Sequence, residues 1–246
     1  MKAKEYAQRI IDDNYSTESI SKVVFDMLKE IGERLDLEIE FQEIGVAEAF
    51  TSVDSGKVDI SVNNLDTTEE RLEKYNMSVP YKYSIGGMIV REDGSSGIEA
   101  ADLSDWAGKK AGGGAGTQYM KIAEKLGAEP VIYDNVTNDV YLRDVSTGRT
   151  DFIPNDYYTQ VIAIKYITAQ YPDIKVKMGT AKYNPTEQAI VMSKKDDTLK
   201  KKLDQVIEEM KEDGTLKAIS EKYYAGQDLT VPEKGVEDLP VIDTSN

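Results

Sequence analysis

Two hydrophobic periods alternate along the chain. Val23, Val24, Met27, Leu28, Ile31 and Leu35 fall on one stripe, which predicts a helix over 20–35, with a short strand at 38–41 after it. Residues 46–53 read as a helix closed by Ser55-Gly56, and 58–62 as a buried strand. The alternation continues with strands at 85–91, 109–116 (running into a glycine-rich turn), 131–133, 150–154 and 175–178. Helices are expected at 117–126, 139–147 and 161–171. A second long apolar strand is expected at 188–193, and two amphipathic helices at 198–211 and 215–224 flank Asp213-Gly214. Residues 92–105 and the tail from Asp228 show no hydrophobic period; the first reads as an exposed connection and the second as a mostly extended or frayed end. Repeated strand–helix units predict an α/β fold, with ligands at the carboxyl ends of parallel strands.

Composition narrows the chemistry. The 246 residues carry 45 acidic and 30 basic side chains, a net charge of −15. That argues against nucleic acid or an anionic membrane surface as partner, since either needs a basic patch. There is no cysteine and no histidine. Disulfides, thiolate nucleophiles, Ser-His pairs and His-ligated zinc are therefore excluded, and an enzyme would have to run on carboxylates, lysine or tyrosine. No metal, cofactor or catalytic residue is expected. No apolar run reaches the length of a membrane span and no signal peptide opens the chain.

The densest local signal is NNLDTTEERLEKYNMSVPY, residues 63–81. Thr67 and Glu70 have capping-box spacing, which sets Arg71 one turn into a helix. A guanidinium beside unpaired N–H donors suits a carboxylate. Pairing with Glu69, Glu70 or Glu73 on a solvated face explains the spacing equally well. Gly112-Gly113-Gly114-Ala115-Gly116-Thr117-Gln118 opens a helix after a strand, so its backbone can approach an anion. It lacks the endings of a P-loop or a dinucleotide fingerprint, and a plain flexible turn fits as well. Asp156 reads as a helix cap from its position alone. Asp151 precedes a buried strand and reads as structural. Tyr157 and Tyr158 suit core packing or a binding wall, and Pro185 stiffens a crossover where Gln188 could reach a ligand.

Residues 63–81 resemble the first-lobe motif S/N-x-x-T-x-x-E-R, with its Pro-Tyr ending, of the polar amino-acid-binding proteins of ABC importers, solute-binding protein family 3. Asn63-Asn64 and Glu73-Lys74-Tyr75 are most similar to the cystine-type branch. The likeness runs from about Val24 to Thr230 and includes Thr147-Gly148-Arg149-Thr150-Asp151-Phe152-Ile153-Pro154-Asn155-Asp156, which resembles the family's S-G-R-x-D-x-x-x-x-D signature. It implies a type II periplasmic-binding-protein fold, two lobes joined by a two-strand hinge, with 1–86 and 188–246 in lobe 1 and 87–187 in lobe 2. It further implies an extracytoplasmic protein, often a lipoprotein, that closes on an amino acid and then docks on a membrane permease. Met1 is then not the natural start. The ligand residues implied are Asn64, Asp66, Arg71, Gly116, Thr117, Gln118, Asp156 and Gln188. Arg71 and the Thr117 turn would hold the carboxylate, and Asp156 the ammonium.

The chain departs from the family at several positions. The start, MKAKEYAQRIIDDNYSTESISK, has apolar residues at helical spacing where the family has a strand and a Gly or Pro turn. Either 9–12 still forms that strand, with Tyr15 as the aromatic, or the terminus is rebuilt and leaves sheet edges open to strand exchange. Otherwise a monomer is expected. Val23 and Val24 replace an aromatic–acid pair, Ala47 stands where a stacking aromatic is common, and Asp66 replaces a small hydroxyl residue. Asp66 disfavours an acidic ligand unless it turns outward to cap Thr68 or Glu69. A neutral polar or cationic amino acid, or cystine, is the expected ligand. The alternatives are a degenerate or engineered scaffold with an altered pocket and, in another class, an enzyme like cyclohexadienyl dehydratase with Glu187 as its acid.

Overall fold

A computed structural model describes residues 18–42, 46–133 and 136–244. The chain divides into two compact units: 1–83 with 186–233, and 84–185 with 234–246. It passes between them after Tyr83, Pro185 and Glu233.

The first unit is a three-layer sandwich. Its antiparallel sheet has the order β1 (Ile60–Ser61), β9 (Val191–Ser193), β2 (Tyr75–Met77). Side chains around β9 alternate as an extended chain requires. Ile190 and Met192 join Met27, Leu28 and Ile31 of α1 (Glu18–Leu35) with Leu203, Val206, Ile207 and Met210 of α7 (Asp197–Glu212) and Leu216 of α8 (Thr215–Tyr223). Ala189 and Val191 face the other way, onto Val53 of α2 (Val46–Asp54), Leu65, Tyr75 and Met77. Val23 and Val24 are buried on α1 and belong to the core. The six-residue α3 (Glu69–Lys74) leads directly into β2.

The second unit is built on the sheet β5 (Glu129–Tyr133), β4 (Lys110–Gly114), β6 (Phe152–Asp156), β3 (Lys82–Arg91), β7 (Val176–Met178), with β8 (Tyr183–Gln188) pairing β3 off that path. β4 runs parallel to β5 and β6, and β3 antiparallel to β6 and β7. One face packs Met88, Val90 and Phe152 under Trp106, Leu103, Tyr183 and the apolar stripe of α4 (Gln118–Lys125). The other packs Ile89 and Ile153 against α5 (Asn138–Ser146) and α6 (Tyr157–Gln170) through Leu142, Val145 and Ile167.

Several expectations change. Residues 38–41 form no strand. The 9–12 segment, read as a possible first strand, lies outside the described residues, as does Tyr15; the side chain of Ala47 is not described either. The expected strand 188–193 is two strands, broken at Ala189-Ile190. α6 begins at Tyr157, four residues before its apolar stripe becomes visible in sequence. The connection 92–105 is anchored by buried Ile98 and Leu103. The tail is tied down as well. Leu229 accepts from the Tyr83 N–H, Asn184 donates to Ile242 and its N–H to the Pro240 carbonyl, and Ile242 packs on the second unit's core. Residues from Lys234 thus belong with the second unit, where the sequence reading put them with the first.

Candidate functional site

In the first unit the segment before α3 is held in place on both sides. Asn64 adopts the left-handed conformation (φ 53°) that asparagine tolerates. Its N–H donates to the Tyr81 hydroxyl at 2.8 Å, joining the two ends of the 63–81 motif. Asp66 bridges Gln188, and the Thr67 N–H donates to the Glu187 carbonyl at 2.7 Å. The cap of α3 is Thr68, whose hydroxyl accepts from the Arg71 N–H at 3.3 Å. The Thr67–Glu70 capping box therefore does not form, because the backbone pairing of Thr67 starts the helix one residue later. The Thr67 hydroxyl and Asn64 Oδ1 are buried without a hydrogen-bond partner.

Arg71 is half-buried. Its NH1 donates to the Asp66 carbonyl at 2.7 Å, and its guanidinium lies 4.8 Å from the centre of the Phe50 ring. Asp66 does not turn outward as a cap. Its side chain is 5% exposed and accepts from Gln188 Nε2 at 3.1 Å, and Gln188 is itself fully buried. Both are buried and hydrogen-bonded to each other. Sequence reasoning missed Phe50, which lies inside the apolar stripe of α2 and carries no signal of its own. Its ring packs on Tyr75 at 5.1 Å, and the Tyr75 hydroxyl donates to Asp54 at 2.8 Å. Burial first, then that acceptor, pushes the Tyr75 phenol up to about 12.

In the second unit the candidates sit at two helix starts. Thr117 caps α4, its hydroxyl accepting from the Met120 N–H and donating to the Gly114 carbonyl. Gly116 makes the turn with φ 75° and open space around it. Gly112 and Gly113 have a different use. A Cβ on Gly113 would lie 2.4 Å from Met120 Sδ, and one on Gly112 about as close to Tyr133 as packing allows, at 3.0 Å. These glycines let the sheet meet its neighbours, and Gly116 alone shapes the turn. Gln118 donates to the Thr244 hydroxyl.

Asp156 is 3% exposed and caps α6, as its position suggested. Oδ1 accepts from the Thr159 N–H at 2.8 Å and Oδ2 from the Ser84 hydroxyl at 2.6 Å. Ser84 is a second partner that sequence spacing gave no means of finding. Asp151 is structural, bonded to Arg91 and to the Lys110 N–H. Tyr158 is buried and meets Tyr157 edge-on, while Lys182 lies over the Tyr157 ring at 4.4 Å. Among the described residues no cluster of acidic side chains is arranged to hold a metal.

The model of the bacterial extracellular solute-binding proteins, family 3, matches residues 23–226. The chain belongs to that family. The match takes in Arg71, Thr117 and Asp156 along with both units' cores. Among family 3 relatives, a probable ABC transporter extracellular-binding protein of Bacillus subtilis, YckB, is 42% identical over 220 residues, 89% of this chain and 75% of that protein. A crystal structure of YckB superposes with a TM-score of 0.67, covering 93% of this chain and 85% of that one at 41% identity. The L-cystine-binding protein TcyJ of Escherichia coli K12 is 32% identical over 73% of this chain and 64% of its own length. An ancestral arginine-binding protein, solved with arginine, has a TM-score of 0.70 at 27% identity, covering 82% of this chain and 87% of that one. The family 3 fold is of the type II periplasmic-binding-protein class, and this chain has it. No described helix is long and apolar enough to cross a membrane.

Proposed function

We propose that this family 3 protein binds a neutral polar or cationic amino acid, or cystine, outside the cytoplasmic membrane and delivers it to the permease of an ABC importer. It acts by binding and release, without catalysis. The observation that carries the reading is the placement of Arg71: a half-buried guanidinium in the family's own motif, oriented by a ring and a carbonyl. Such a planar donor fork matches a carboxylate in geometry and charge. Thr117 and the N–H groups that open α4 are, on their own unit, likewise suited to an anion. Asp156, a buried carboxylate, suits an ammonium, since a buried charge is stable when paired.

Asp66 decides the side-chain preference. It places a buried carboxylate five residues before Arg71, and at an effective dielectric near 20 a like charge some ångströms away costs on the order of a few kcal/mol. Glutamate and aspartate are therefore disfavoured. Asn64 Oδ1, buried without a partner, is an acceptor suited to a ligand N–H. The names of TcyJ and of the ancestral arginine-binding protein agree with this preference.

A thermal-shift screen of the twenty amino acids and cystine, followed by calorimetry, tests it, because a ligand that binds the native state raises its melting temperature by mass action. Arginine, glutamine or cystine should give the largest shift. Glutamate or aspartate giving the largest would refute the preference. No shift with any of them would mark the chain as a scaffold without amino-acid binding.

A further inference from the structure

We propose that Phe50 is a positioning residue for ligand binding, a platform that sets the plane of the Arg71 guanidinium before the ligand arrives. The proposal rests on the reading of Arg71 as a carboxylate-binding residue. It adds a residue that lies outside the motif, on a different helix.

The geometry forms a chain of contacts within the first unit. Phe50 and Asp54 are four apart on α2 and therefore share one face of it. Both engage Tyr75, the ring of Phe50 at 5.1 Å with an interplanar angle of 51°, and the carboxylate of Asp54 through the Tyr75 hydroxyl. Tyr75 is only 8% exposed, at the head of the central β-layer, so the Phe50 ring is backed by a side chain that cannot readily move. Arg71 lies one turn before Tyr75 on α3 and approaches the same ring, its Cζ 4.8 Å from the centroid. Its main-chain N–H is taken by Thr68 and its NH1 by the Asp66 carbonyl. The backbone, one terminal nitrogen and the position of the guanidinium over a ring are all specified by neighbours.

An arginine side chain has four rotatable bonds before its planar end, and fixing them on binding costs entropy. A guanidinium already resting on an aromatic face has lost much of that freedom in the unliganded protein. Ligand binding then costs less, and the bidentate geometry is presented in one orientation. The attraction between cation and ring quadrupole holds it there. A leucine at position 50 would fill the apolar layer beside Val53, Leu65 and Tyr75 nearly as well, but offers no π face. That difference separates positioning from mere packing.

The test uses the full chain with the ligand identified by the screen above. Phe50→Leu and Phe50→Met should each weaken binding roughly three- to tenfold, while Phe50→Tyr and Phe50→Trp restore it. Melting temperature in the absence of ligand should not follow that order. In the unliganded wild-type protein the Arg71 Nε–H proton resonance should be displaced by the ring current, and the displacement should vanish in Phe50→Leu. Should both aliphatic variants fail to fold, the wild-type resonance and the Tyr and Trp variants carry the test. An Arg71 resonance at the value of a solvent-exposed arginine overturns the proposal, as does wild-type affinity in Phe50→Leu when Arg71→Ala has lost binding. Wild-type affinity in Arg71→Ala overturns the reading of Arg71 itself, and the platform falls with it.

Discussion

The charges assigned to the two ends of an amino acid are held by contrasting means. Arg71 in the first unit depends on tertiary neighbours: a ring from α2, a carbonyl from the preceding segment, and a helix of six residues that packs no buried side chain of its own. Asp156 in the second unit is held by local geometry on one oxygen, as the cap of the fourteen-residue α6, and by one partner distant in sequence, the Ser84 hydroxyl, on the other. One residue has a position created for it. The other is already part of what holds a helix start in place. On the proposed reading, a ligand role and a structural role can therefore be pulled apart at Arg71 and coincide at Asp156.

The strongest way to break this contrast is Arg71→Ala. Removing the partner of a bound carboxylate should cost about 2–5 kcal/mol of binding, much of it the penalty of leaving that carboxylate unpaired. Stability should fall by less, because the residues around Arg71 are tied to one another without it: Asp66 to Gln188, Thr67 to Glu187, Phe50 to Tyr75. Calorimetry and urea unfolding on the same variant read the two numbers. A stability loss larger than the affinity loss would place Arg71 with Asp156 as a structural residue.

Asp156→Ala should show the fused behaviour. Loss of a helix cap costs about 0.5–2 kcal/mol. Leaving the buried Ser84 hydroxyl without its acceptor adds roughly 1–3 kcal/mol. A fall in unfolding free energy of about 1.5–5 kcal/mol is expected from the two together, with binding weakened in the same variant. Asp156→Asn keeps an oxygen for the cap and removes the charge, so it should recover much of the stability and little of the affinity. Recovery of affinity along with stability would show that the charge of Asp156 has no part in binding.

The same contrast explains what could be read from the chain beforehand. Helices with a one-sided stripe, such as those around Met27–Ile31 and Val206–Met210, were legible because periodicity records burial directly. The cap at Asp156 was legible because capping uses residue type and spacing over a few positions. Residues 67–70 had the spacing of a capping box, but the pairing of Thr67 with Glu187, distant in sequence, moved the helix start to Thr68. The resemblance implies Asp66 and Gln188 as ligand contacts. Their pairing depends on an antiparallel bridge that no local pattern announces. Phe50 and Ser84 were invisible for the same reason. A core-type residue becomes a positioning residue only through what lies across from it.

The smallest predicted effect concerns another acid of the second unit, Asp151, which is bonded to Arg91 and the Lys110 N–H and so marks the structural baseline for Asp156. Burial by itself would raise its pKa, but the Lys110 N–H, the Arg91 guanidinium and the nearby Lys109 charge outweigh that and hold it below the usual carboxylate range. The depressed value belongs to the folded state. Asp151 therefore adds stability that is fully present above the unfolded carboxyl value of about 3.9 and is lost as pH falls through the lower folded value. Asp151→Asn removes that contribution. The gap in unfolding free energy between wild type and variant should be constant near neutral pH and narrow as the solution is acidified below about 4. Amino-acid affinity at neutral pH should be the same in both. A gap that does not change on acidification would mean that the Arg91 pair contributes through packing and hydrogen bonding rather than charge. Weakened affinity would mean that the acids of the second unit divide their work differently, with ligand binding reaching beyond Asp156 to the start of β6.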